Sequence, residues 1–323
     1  MLGIARSLAV AGVLIVAVAG CRSPSPARSA AASRPATATA TPAPSPAPVE
    51  SAAIPDGVIG VVAPPGAPTA GGAELGPAVA VSPARIQALA QPSGPGAVPR
   101  GTVPAMIFHG PRNAKRIALT FDSNMTDSML RKIAAGTTGT YANSRVVDEL
   151  QQLKVPATFF LAGKWMEAYP QLTRRIAADP SFELASHSWA HEGFRAPCYG
   201  LGTIPRGDMA ADVERSFEIL RRFTPHPTRY FRFPGGCYDA AALRAIAPTG
   251  CTAVEYDDVS GDAFGTSTPS IVAHTVSQAR PGTIVVLHIT QANAPRTADA
   301  LPQIAQELRA RGYQLVSLSS LLS

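Results

Sequence analysis

An α/β fold in the last two-thirds of the chain, preceded by a disordered Ala/Pro-rich tether, is what this sequence predicts. Three observations predict it. Short apolar runs alternate with amphipathic stretches from residue 116 onward. Several of these runs are apolar throughout, as Ile284-Val285-Val286-Leu287 is. Proline crowds the first hundred positions, where residues 22–100 hold 16 of the chain's 31 prolines. Runs apolar at every position suit strands of a parallel sheet covered on both faces. Strand and helix alternating at this spacing suit an α/β arrangement.

Taken in order, residues 1–21 carry Arg6, an apolar run over 8–19 and then Val18-Ala19-Gly20-Cys21. This is the pattern of a secretory signal peptide. Its small residues ending on Cys21 resemble a bacterial lipobox, so Cys21 is expected to be lipidated and to anchor the chain to a membrane. The alternative is ordinary secretion with an incidental cysteine. The apolar run is too short for a comfortable span. Either way the chain is expected outside the cytoplasm, in the cell envelope or periplasm.

Residues 22–104, filled with Ala, Pro, Ser and Thr, cannot bury enough apolar surface to offset their ordering entropy, and read as a semi-extended tether. A short helix fits 82–91. The net charge of +6 comes from 28 basic and 22 acidic residues without any basic run. That excludes nucleic acid as a partner.

Residues 105–323 are ample for one core, and a monomer is expected. Strands fit 116–121, 157–162, 182–185, 230–233, 252–256, 283–288 and 314–318. Helices fit 144–154, 165–178, 207–223, 240–247, 268–279 and 297–311. Seven strands leave an open doubly wound sheet and a barrel both available. There is no Gly-rich dinucleotide or P-loop pattern. Cys198, Cys237 and Cys251 permit one disulfide outside the cytoplasm, Cys198–Cys237 or Cys237–Cys251.

Polar residues gather at the C-terminal ends of these strands, the edge where α/β active sites are built. Asp122 follows Leu119-Thr120-Phe121, and His187 and His191 follow the third strand. Arg232 sits in the fourth, Asp262 trails the fifth, and His288 ends the sixth. The two histidines are four apart, a spacing that on one helical turn puts both rings on one face. Imidazole nitrogen suits Zn, Co or Ni. Two packing histidines would show the same spacing, so the pair alone is a weak sign. His109, His226 and His274 have no matched partners and read as surface or structural residues. Trp165 reads as core or rim packing, and Tyr199 and Tyr238 fall in rim loops, where they either pack the turn or stay open to stack on a ligand.

Together these residues resemble the polysaccharide deacetylases, the NodB-homology domain of carbohydrate esterase family 4, over about 115–323. Thr120-Phe121-Asp122 is similar to its T-F-D-D motif, and His187-Ser188-Trp189-Ala190-His191 to its H-[ST]-x-x-H. Arg232-Phe233-Pro234-Gly235-Gly236 resembles R-P-P-Y-G, and Leu287-His288 its late L-H element. The resemblance implies a distorted (β/α)7-type barrel that removes acetyl groups from an N-acetylated glycan polymer with a divalent metal, zinc first. It implies His187 and His191 as ligands, Asp122 as general base with Arg232 orienting it, and His288 as general acid supported by Asp262. The backbone at Gly235 would help hold the oxyanion. Two departures matter. Ser123 stands where the family has a second, metal-binding aspartate, so the third ligand falls to Asn124 or Ser123. The family's D-W pair reads Asp262-Ala263-Phe264, which leaves Phe264 or Trp189 to wall the acetyl methyl. Asp257 and Asp258 are rivals to Asp262.

Overall fold

The computed structural model describes residues 82–225 and 227–323. The signal segment, Cys21, most of the expected tether and His226 lie outside them. Strands β1 (Met106–Ile107), β2 (Arg116–Asp122), β3 (Ala157–Leu161), β4 (Phe182–Ser186), β5 (Tyr230–Phe231), β6 (Thr252–Val254), β7 (Asp258–Val259), β8 (Ile284–His288) and β9 (Gln314–Val316) make one sheet. Its order is β1-β6-β5-β4-β3-β2-β8-β7, with β9 beside the first half of β2, and these strand pairings are parallel. The sheet curls into a half-barrel flanked by helices, the (β/α)7-type fold.

The helices are α1 (Pro83–Gln87), α2 (Asp127–Ala134), α3 (Ser144–Leu153), α4 (Gly163–Ala168), α5 (Pro170–Ala177), α6 (Met209–Leu220), α7 (Ala240–Ile246), α8 (Thr268–Gln278), α9 (Thr297–Ala310) and α10 (Leu318–Leu322). The single helix expected over 165–178 is two. Pro170 has no N–H to donate and opens α5 at its first turn. Strand period sorts the core: Ile117, Leu119 and Phe121 of β2 join the larger apolar cluster, while Ala118 joins a smaller one completed by Leu318 and Leu321 of α10.

The expected tether ends earlier than residue 104, because the chain from 82 already packs on the domain. Ile86 is fully buried. The Arg100 guanidinium donates to Glu214 and to the carbonyls of Pro248 and Thr249. Ala97 bridges to Cys251. Composition hides this, since backbone bonds such as Val98 N–H to the Gly250 carbonyl and Arg229 N–H to the Pro95 carbonyl share the anchoring and leave no mark on residue type.

Register is what builds the site. Asp122 of β2 lies opposite His288 of β8. Ser186 of β4 lies opposite Phe231 of β5, so His187 and Arg232 each come one residue later on neighbouring strands. All four side chains therefore arrive at the same C-terminal edge.

Candidate active site

Asp122 and Arg232 form the centre. The guanidinium is fully buried and donates from Nη1 to Asp122 Oδ1 at 2.7 Å and to Thr120 Oγ1 at 2.8 Å. Its Nε reaches the Val254 carbonyl at 3.2 Å, and Nη2 the Glu255 carbonyl at 3.2 Å. The Phe160 ring packs 4.0 Å from its charged carbon. A cation gripped from four sides fixes the carboxylate it faces. Removing either partner of such a buried pair leaves an uncompensated charge, at a cost of about 3–5 kcal/mol.

Asp122 Oδ2 lies 3.7 Å from His187 Nε2. The other ring nitrogen, Nδ1, sits 3.0 Å from the Arg232 carbonyl. A carbonyl only accepts, so Nδ1 carries the hydrogen and Nε2 keeps its lone pair toward the site. The His187 and His191 rings are 5.1 Å apart. Helical spacing does not bring them together, contrary to the sequence expectation. Residues 187–191 form a loop in which Ser188 (φ 65°) and His191 (φ 55°) are left-handed.

What holds this loop is Asp212 on α6. Its Oδ1 accepts from the Trp189 N–H at 2.8 Å and its Oδ2 from the Ala190 N–H at 2.9 Å, while the Ser188 hydroxyl accepts from the His191 N–H at 2.9 Å. Burial pushes the Asp212 carboxyl up to about 6, against the pull of those N–H bonds. Sequence reasoning missed Asp212. Its only signal is an acidic residue on a helix that packs onto β4.

The residues fit a divalent ion that accepts imidazole nitrogen. Burial lowers the pKa of His187 and of His191, keeping both in the neutral form that coordinates. His191 Nδ1 and Asn124 Oδ1 are buried with no hydrogen-bond partner among the described residues. Ser123 is fully buried, and its hydroxyl accepts from the Ala162 N–H at 2.9 Å, which ties β2 to the end of β3. Asn124 thus has the freer oxygen of the two. Among the described residues no group of three or more His, Cys, Asp or Glu side chains could hold a metal. The groups that would face such an ion are two imidazoles and the neutral Asn124 oxygen.

The second pair stands on the neighbouring strand. Asp262 Oδ1 faces His288 Nδ1 at 2.8 Å, and Oδ2 accepts from the His288 N–H at 2.8 Å and the Thr297 hydroxyl at 2.7 Å. Burial pulls the His288 pKa down, but the Asp262 carboxylate outweighs it and the net shift is upward. Asp262 moves the other way: burial raises its pKa, and His288 with the hydrogen bonds lowers it overall. With Nδ1 committed to Asp262, Nε2 is the nitrogen left for substrate. Neither rival contacts His288 in this way. Asp257 pairs with Arg112 and accepts from the Ile284 N–H, and both oxygens of Asp258 are buried without a partner.

Gly235 sits inside the Pro234–Gly236 turn at φ 63°, where a Cβ would stand 3.0 Å from Cys198 Sγ, so a side chain there would be both strained and crowded. The disulfide is Cys198–Cys237, and Cys251 is free and buried. Trp189 packs on Gly163, donates from its indole N–H to Glu167, and lies under the guanidinium of Arg215 at 3.3 Å. Phe264 is 69 % exposed, two residues beyond Asp262. Trp165 is core, as expected.

Residues 109–254 match the polysaccharide deacetylase family. A peptidoglycan-N-acetylglucosamine deacetylase of Bacillus cereus is 26% identical over 218 residues, 67% of this chain and 72% of that protein. A chitooligosaccharide deacetylase of Sinorhizobium fredii is 29% identical over 184 residues, 54% of this chain and 82% of its own. A solved peptidoglycan N-acetylglucosamine deacetylase superposes with a TM-score of 0.57 at 25% identity, covering 68% of this chain and 92% of that one. A CE4-family pseudoenzyme from Bacillus anthracis, at 20% identity and a TM-score of 0.55, shares the fold, covering 68% of this chain and 69% of its own. What these likenesses support is a polysaccharide deacetylase domain in the folded part of this chain.

Proposed function

We propose that the domain hydrolyses N-acetyl groups from a polymer-bound amino sugar of the cell envelope, peptidoglycan first, with a divalent ion, zinc before cobalt or nickel. The observation that carries this is the Asp122 carboxylate, held at 2.7 Å by Arg232 and facing His187, opposite the His288–Asp262 pair. A mere binder has no use for a base and an acid on adjoining strands.

An ion held by His187, His191 and the Asn124 oxygen would polarise the acetyl carbonyl and make a bound water more acidic. Asp122 takes the proton of the attacking water on Oδ2, the oxygen that Arg232 leaves free. The backbone N–H at Gly235 supports the carbonyl oxygen as it gains charge. His288 then gives its Nε2 proton to the departing amine as the carbon–nitrogen bond breaks and acetate leaves, and Asp262 stabilises the imidazolium beforehand. Relatives named for peptidoglycan and chitooligosaccharide support the substrate class. Export and lipidation at Cys21 would place the chain where such polymers are.

Acetate release from peptidoglycan, chitooligosaccharide and acetylated xylan, with and without a chelator, tests this. Release from the first, lost with chelator and regained with zinc, is expected. Release only from the xylan would make it an O-acetyl esterase. The neutral third donor favours a second reading, a glycan-binding domain of the same fold without turnover. Glycan binding with no acetate under saturating zinc would establish that one instead.

A further inference from the structure

The Gly235-Gly236 turn borders on residues that the deacetylation steps leave unused. Tyr199 is 82 % exposed, yet it is fixed at φ 44° directly after Cys198, whose disulfide to Cys237 locks its loop to the turn. Its ring lies against Gly235, with Cδ2 3.2 Å from the position a Cβ would take. Next along, Gly236 at φ 63° leaves an opening. From its Cβ position the nearest atoms are the Tyr256 hydroxyl at 3.8 Å and Glu255 Oε2 at 3.9 Å.

Glu255 is only 4 % exposed, and its Oε1 has no hydrogen-bond partner. Oε2 is the oxygen toward the opening, so a ligand hydroxyl or amide there would meet a buried carboxyl whose other oxygen is unpaired, a costly arrangement for the unliganded chain. Burial raises its carboxyl to about 8, with Arg232 opposing and Asp122 adding, so at neutral pH it can both donate and accept. Its backbone carbonyl accepts from Arg232, which places this opening beside the catalytic centre.

Resting on the glycan reading above, we propose that Tyr199, Glu255 and Tyr256 form a sugar-binding subsite around Gly235-Gly236 for the pyranose next to the one deacetylated. The C–H face of that ring stacks on Tyr199, and its polar edge bonds the Glu255 carboxyl and the Tyr256 hydroxyl. A pyranose presents one flat apolar face and a rim of donors and acceptors, and the pocket offers the complement of each. Because the disulfide and the turn hold Tyr199 in place, little ordering entropy is lost on binding.

Calorimetric titration of the full chain with the β-1,4-linked N-acetylglucosamine tetramer, with a chelator present to prevent turnover, reads this binding. Tyr199→Ala should weaken binding about tenfold, corresponding to ~1.4 kcal/mol, and Tyr199→Trp, which keeps a flat face, should restore it. Glu255→Gln should bind within about threefold of the original, whereas Glu255→Leu should lose affinity as Tyr199→Ala does. Equal affinity of Tyr199→Ala and the original chain would overturn the subsite. So would a Tyr199→Trp variant as weak as Tyr199→Ala, or no binding by the original chain. Acetate release, measured separately, keeps failure of the subsite distinct from failure of the deacetylase reading.

Discussion

Two residues with adjoining roles respond differently to substitution. Asp122→Asn keeps the shape but cannot accept a proton, so acetate release should fall by roughly 10²–10⁴-fold, while zinc content measured by emission spectroscopy stays unchanged. Undiminished turnover would remove Asp122 from the role of base. His288 must be protonated to act as the acid, and although burial opposes it, Asp262 lifts its pKa. Activity should therefore hold below that raised pKa and fall as pH rises through it. Asp262→Asn removes the carboxylate, so the alkaline limb should move to lower pH. A limb that stays put would place the proton donor elsewhere. Asp122, Arg232 and His288 were legible in the sequence because each ends or follows an apolar run, and the parallel register turns that position directly into proximity. Which oxygen after Asp122 stays free was not. It depends on whether the Ser123 hydroxyl is spent on the Ala162 N–H, a contact made 39 residues away.

At the level of elements, the histidine loop shows why motif spacing can be right for a wrong reason. His187 and His191 do converge, yet they do so through two left-handed residues and a carboxylate from α6. No periodicity records a clamp of that kind. Asp212→Ala should strand two backbone N–H groups and cost about 2 kcal/mol or more, seen as a lower melting temperature, and should weaken zinc binding measured by competition with a chromophoric chelator. Zinc affinity unchanged in a folded variant would mean that the loop holds itself. Strand β7 carries the opposite kind of residue, for Asp258 is buried, unpartnered and raised to about 8, chiefly by burial and further by Asp257. The unfolded chain, with its carboxyl near the ordinary aspartate value of 3.8, releases this proton before the folded one does. Stability conferred by the neutral form is thus complete below pH 3.8 and declines as pH rises toward 8. Asp258→Asn should flatten that decline in urea midpoints taken across the interval. Parallel slopes for both proteins would show that Asp258 is solvated in solution.

For the molecule as a whole, composition marks a boundary that packing then moves. Alanine and proline run on past residue 82, but Ile86 and Arg100 already belong to the domain. The alternation of strands and helices gave the α/β class, while closure into a half-barrel depends on which strands pair, and pairing across the sheet leaves no local trace. The start of the chain lies outside the described residues, and among those described no helix is long and apolar enough to cross a membrane. We propose that Cys21, lipidated once the signal peptide is cleaved, holds the chain to a bilayer. Acyl chains attached there would contribute about 0.8 kcal/mol for each buried methylene, enough with two or more chains for stable attachment. Cys21→Ser should therefore shift the chain from the membrane pellet to the soluble fraction in its native envelope. Because Cys21 is remote in sequence from every site residue, acetate release per molecule on soluble chitooligosaccharide should be the same for both proteins. A Cys21→Ser chain that still sediments with membranes would show that another segment makes the attachment.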